Sequence, residues 1–117
     1  MNAGEAKQRL RAELRARLAR MTAEDWATAS ARVVDVVRGM EEWREARWVG
    51  CYAAMPRELD VAPLMQEALE RGARVAVPGW DAAAGTYRFH EVTDLARDLV
   101  EGPHRARMPG AGCPAVE

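Results

Sequence analysis

Lys7 and Arg11 stand four residues apart near the start of the chain. In a helix both side chains would leave one face a turn apart, where an ammonium and a guanidinium can grip neighbouring phosphate groups. Lys7 is the only lysine, against 16 arginines. A compact ammonium retained for a task that a planar fork cannot do would explain this, and so would chance in a biased composition. On a generic helix the pair would be no more than a solvated basic face. Glu58 follows the short run Met55-Pro56-Arg57, just after an apolar stretch. Ligands of α/β sheets bind outside the carboxyl ends of strands, so a carboxylate there suits a polar ligand. A helix-start role beside Asp60 would account for it equally well. Tyr52 and Met55 could wall an aromatic ligand or simply fill core. His90 and His104 lack acidic or thiol partners at ligand spacing, so no metal site is read from them. Cys51, within an apolar run, reads as a buried structural thiol. The four tryptophans read as packing residues, and no Gly-rich phosphate loop of the GxxxxGK[ST] or GxGxxG kind is present.

The elements that must position these residues follow from periodicity. Residues 5–20 predict a helix, with Leu10, Leu14 and Leu18 recurring every four positions as a narrow apolar stripe. Thr22 predicts an N-cap, with Glu24 and Asp25 placing negative charge in the first turn of a second helix. That helix turns Trp26, Ser30, Val33, Val34 and Val37 inward and ends near Gly39. The pattern then shifts. Residues 47–53 form a short apolar run that predicts a buried strand. Asp60 can cap a third helix with Val61, Leu64, Met65, Ala68 and Leu69 as its apolar face and Gly72 as its stop. Residues 74–78 predict a second strand, parallel to the first across a βαβ crossover. Residues 81–85 make a turn, and residues 87–92 alternate as a third strand at an edge. From Leu95 the signal weakens, and Gly102-Pro103, Pro109-Gly110 and Gly112-Cys113-Pro114 mark an irregular tail. The fold class is therefore α/β: two N-terminal helices, a parallel βαβ unit and an edge strand.

Composition narrows the possibilities. At 117 residues, 49% hydrophobic and 30% charged, the chain has the size and apolar content of one folded domain. No apolar run reaches the roughly 18 residues needed to cross a bilayer, and the basic start has no apolar signal segment, so no membrane is expected. Two thiols without metal spacing point to a reduced, cytoplasmic setting. Residues 1–20 carry six basic against two acidic side chains, while the remainder is net acidic. The basic helix leaves a nucleic-acid-binding module as a ranked-last alternative, because no aromatics interleave with its charges. No nucleic acid is expected as a partner. The chain stops at residues 114–117, where another apolar strand could begin, and a parallel sheet of two strands is short. These features predict the front part of a larger three-layer α/β domain.

In order and spacing these segments resemble the 5-formyltetrahydrofolate cyclo-ligase family. Lys7-Gln8-Arg9-Leu10-Arg11 resembles its K-x-x-L-R element. Ser30, the run from Tyr52 to Asp60, the run from Gly72 to Pro78, Tyr87-Arg88-Phe89 and Met108-Pro109 resemble its succeeding blocks. The resemblance implies an ATP-dependent ring closure of 5-formyltetrahydrofolate to 5,10-methenyltetrahydrofolate. ATP phosphorylates the formyl oxygen, the neighbouring amine attacks the activated carbon, and phosphate leaves, with Mg2+ and basic side chains offsetting phosphate charge. By the same resemblance Lys7 and Arg11 contact the ATP phosphates, and Ala53 and Glu58 contact the folate. Val61 stands where the family carries threonine, removing a helix-start hydroxyl. The family's later P-G-x-x-F segment and Gly-rich R-L-G-x-G-x-G-Y-Y-D element do not occur before Glu117. The expectation is a single, C-terminally truncated domain. Its catalytic residues would lie in the missing half, and it would be a monomer when complete and inactive alone. A non-catalytic remnant is the alternative.

Overall fold

The computed structural model describes residues 2–102 and 105–117; His104 and Pro103 lie outside the described residues. Its order is α1 (Ala3–Ala19), α2 (Ala23–Arg38), α3 (Glu41–Glu45), β1 (Trp48–Gly50), α4 (Ala62–Glu70), β2 (Arg74–Asp81), β3 (Thr86–Val92), α5 (Leu95–Asp98), β4 (Leu99–Glu101) and β5 (Arg107–Pro109). The α/β reading holds. β1 and β2 are parallel neighbours, with Val49 opposite Val75. β3 lies antiparallel on the far side of β2, Val75 opposite Val92.

Local chemistry sets the boundaries. Asn2 starts α1 by accepting from the Glu5 backbone N–H. Thr22 and Asp25 form a reciprocal capping box, each side chain accepting from the other's backbone N–H. Gly39 is the C-cap of α2, in right-handed rather than left-handed conformation. At the start of α4 the expected Asp60 cap is displaced by one residue. Val61 is the N-cap and makes no side-chain cap bond, while Asp60 Oδ1 accepts from the Ala62 N–H at 2.9 Å. Asp60 thus meets the orphan donor that Val61 cannot. α4 ends as foreseen. Gly72 sits at φ +86°, and the Gly72 and Ala73 N–H groups donate back to the Leu69 and Ala68 carbonyls, the paired closure that a left-handed glycine permits.

Two expectations need correction, and one element was not foreseen. The first strand covers only 48–50, because after Cys51, whose N–H still reaches the Ala76 carbonyl, the chain leaves the sheet for a loop. The tail is not irregular throughout: α5 and the antiparallel β4–β5 ribbon organise it. Asp98 holds this segment, with Oδ2 accepting from the backbone N–H groups of Thr93 and Asp94. Helix α3 had no sequence signal. It is tied down from outside by Arg71, which donates to the Trp43 and Ala46 carbonyls and stacks 4.5 Å over the Trp43 ring.

The core lies on one face of the sheet. Met65 and Ala68 of α4 meet Val75, Val77, Val92 and Leu99, all buried. At the outer edge of β3, Ala115 bridges His90, and the Val116 N–H donates to the Phe89 carbonyl. Helix α1 contributes nothing to the core: none of its residues is buried, and Leu14 is 46% exposed.

Candidate functional site

At the carboxyl end of β1 the chain makes a loop, residues 52–60, that stands over α2. Three side-chain bonds fix it. The Tyr52 hydroxyl donates to the Leu59 carbonyl at 2.8 Å. Glu58 Oε1 accepts from the Met55 N–H at 2.8 Å, while the Glu58 N–H donates to the Met55 carbonyl. Buried Ser30, on α2, accepts from the Asp60 N–H at 2.9 Å. Arg57 turns the corner at φ +68°, a left-handed position that a side-chain-bearing residue holds at a cost. Burial first, and then the neighbouring Glu58 carboxylate, hold the Tyr52 phenol above its ordinary value.

Loop and helix enclose a groove of about 920 Å³. Its apolar wall includes Trp26, Val34, Met55 and Pro63, and its polar groups include Ser30, Arg57, Glu58 and Asp60. Apolar walls with a few convergent polar groups are the usual form of a small-molecule site. At its margin Arg38 is clamped to Glu67 by two contacts of 2.8 and 2.9 Å, which joins α2 to α4. The Trp26 indole N–H is buried without an acceptor among the described residues.

The residues singled out from sequence divide sharply. Glu58 is exposed and lines the groove. Ala53 packs partly buried against the core, and it is Ala54 that lines the groove. Lys7 and Arg11 are exposed on α1 and line no part of it. They pair with no carboxylate among the described residues, whereas the adjacent Arg9 is matched to Glu13. Two unpaired cations a turn apart fit adjacent phosphates in charge and spacing. The described residues gather no group of three His, Cys, Asp or Glu that could hold a metal ion. Burial pushes the Cys51 thiol up, in keeping with an unreactive side chain. Sequence reasoning missed Trp26 and Val34 as groove walls. Their spacing with Ser30 gave the signal, but an inward helix face reads as core until the loop above it is placed.

A parallel strand pair with a groove at its carboxyl end defines an α/β protein with a ligand-binding topology. A family model described as the 5-formyltetrahydrofolate cyclo-ligase family matches residues 3–109, and the chain belongs to that family. The fold is similar to the NMR structure of 5,10-methenyltetrahydrofolate synthetase from Aquifex aeolicus, with a TM-score of 0.77 at 19% identity. That match covers 94% of this chain and 54% of the Aquifex chain, so the present chain spans about half the length of that relative. No curated protein matches the chain. No helix among the described residues is long and apolar enough to cross a membrane.

Proposed function

We propose that these 117 residues supply the folate-binding part of an ATP-dependent enzyme converting 5-formyltetrahydrofolate to 5,10-methenyltetrahydrofolate, and that alone they do not turn over. The observation that carries this reading is the groove at the end of β1, with Glu58 on its rim and the loop above it braced by Ser30 and Tyr52. A folate presents a flat ring with N–H donors. The apolar wall takes the ring, and the free oxygen of Glu58, beyond the one committed to Met55, accepts from a donor. Lys7 and Arg11 would hold the phosphates of ATP, whose contribution is to make the formyl oxygen a good leaving group. They can attract phosphate from α1, but nothing among the described residues opposes them across a cleft, so in-line positioning needs further structure.

The test is calorimetric titration of the purified chain with 5-formyltetrahydrofolate. Binding is expected, weakened by about tenfold to a hundredfold in Glu58→Gln, because loss of a charged hydrogen-bond partner costs on the order of 1.5–3 kcal/mol. The amide oxygen of Gln can still accept from Met55, so the loop persists and the loss reports the ligand. Unchanged affinity would overturn the placement of the folate. Absorbance at the methenyl product's band should show no turnover by the chain alone, and robust ATP-dependent turnover would overturn that part.

A further inference from the structure

The groove holds one uncommitted cation. Arg57 lines it at the corner of the loop, is exposed, and pairs with no carboxylate among the described residues. Arg38, the other guanidinium of the lining, is taken up by Glu67 and by Asp35, the latter at 3.3 Å. The remaining charges of the lining are the carboxylates of Asp35, Glu58 and Asp60. A positive group free to meet a ligand is therefore available at Arg57 alone.

Its backbone makes the side chain informative. At φ +68° Arg57 stands in the left-handed region with Gly72 and Gly85, and Arg105 is the other side-chain-bearing residue there among those described. Glycine would turn this corner without the crowding of Cβ against the following carbonyl that an arginine carries. The turn itself is closed by the Glu58 N–H on the Met55 carbonyl and by Glu58 Oε1 on the Met55 N–H. Neither bond uses the Arg57 side chain. The arginine thus strains the loop and returns no hydrogen bond or ion pair to the fold. A strained side chain at a cleft points to a function for that side chain.

We infer that Arg57 is a specificity-determining residue for a carboxylate on the ligand, the glutamyl end of the folate, held by the guanidinium at the groove's mouth while the ring lies on the apolar wall. The inference rests on the folate reading of the groove. A folate changes character along its length, from flat heterocycle and aryl ring to a glutamate bearing two carboxylates. An apolar wall with one free guanidinium at an exposed corner matches both ends. The fork takes a carboxylate through two parallel N–H···O bonds. A phosphate chain is the poorer occupant, because several negative charges would enter a lining of three carboxylates with one free cation to meet them.

The experiment titrates the 117-residue chain calorimetrically with a matched pair: 5-formyltetrahydrofolate and its glutamate dimethyl ester, which keeps the ring and removes the charges. The parent chain should prefer the acid about threefold to tenfold, and the preference should shrink as salt is raised. Arg57→Gly should bind the ester as the parent does, lose the preference, and unfold in urea at an unchanged or higher midpoint. Arg57→Gln keeps a side chain at the corner and should lose the preference equally, which covers a glycine variant whose loop is disturbed. Arg57→Lys should retain part of it. Equal affinity of the parent for acid and ester would overturn the inference and leave the folate reading standing, whereas failure to bind either would remove both. Equal losses on acid and ester in the variants would make Arg57 a structural residue and overturn the inference. Weaker ATP binding with the acid preference intact would overturn it as well.

Discussion

Helix α1 and the βαβ unit built on β1, α4 and β2 are both well-formed, yet they are held by different forces. In the βαβ unit the side chains of Met65, Ala68, Val75 and Val77 are at most 1% exposed, so its geometry is a consequence of packing. Helix α1 has an Asn2 cap and an Arg9–Glu13 pair but buries no residue. Its stability is local, and its direction is not set by any core. The difference matters for function because the two halves of the proposed site divide along it. Glu58 hangs on a loop braced from the sheet and from α2, whereas Lys7 and Arg11 ride on a helix that buries no residue among those described. Preorganisation is available to the first and not to the second.

Substitutions should separate the two regions by magnitude. Met65→Ala empties a fully buried site and should cost about 2–5 kcal/mol in urea unfolding; a cost below about 1 kcal/mol would show that the core is looser than its burial implies. Ser30→Ala acts at the junction of α2 and the loop. Leaving the Asp60 N–H without its acceptor should cost about 1–3 kcal/mol and raise hydrogen exchange through residues 53–60. Stability loss without faster loop exchange would mean that Ser30 does not brace the groove.

Asp98 sharpens the comparison by pH. Arg97 first, and then the backbone N–H groups of Thr93 and Asp94, hold its carboxyl far below the usual carboxylate range. Because the folded value is depressed, the stabilisation is fully present above the unfolded value of about 3.9 and is lost as pH falls below it. Asp98→Asn should therefore lower stability at neutral pH and converge on the parent in strong acid; a difference that persists at low pH would exclude linkage. The smallest effect belongs to α1. Leu14→Ala removes a half-exposed side chain and should change unfolding free energy by less than about 0.5 kcal/mol. A loss above about 1 kcal/mol would show that the helix docks in solution and would break the contrast between the regions.

Much of the architecture was legible because short-range chemistry writes it. The Thr22–Asp25 box, the Gly72 stop and the alternation of residues 87–92 each depend on neighbours within a turn or a strand. They placed two helices, the crossover and the edge strand before any contact was known. The αL closure at Gly72 needed only that glycine lacks a Cβ. Helix α3 was hidden because its anchor, Arg71, lies more than twenty residues downstream, and the β4–β5 ribbon was hidden because three-residue strands carry no period.

The chain's own sequence determined which residues carry charge and chemistry: the lone lysine beside Arg11, the carboxylate of Glu58, and membership of a family through ordered motifs. Tertiary structure alone decided which of them meet. It set Glu58 above the Trp26–Ser30–Val34 face and packed Ala53, partly buried, against the core. It left Lys7 and Arg11 outside the groove, and it made one side of the sheet a valine core. The physical reason is range. Capping and periodicity act over a few residues of chain, whereas a groove and a covered face are made by surfaces brought together from distant segments, and no local spacing records which surfaces those will be.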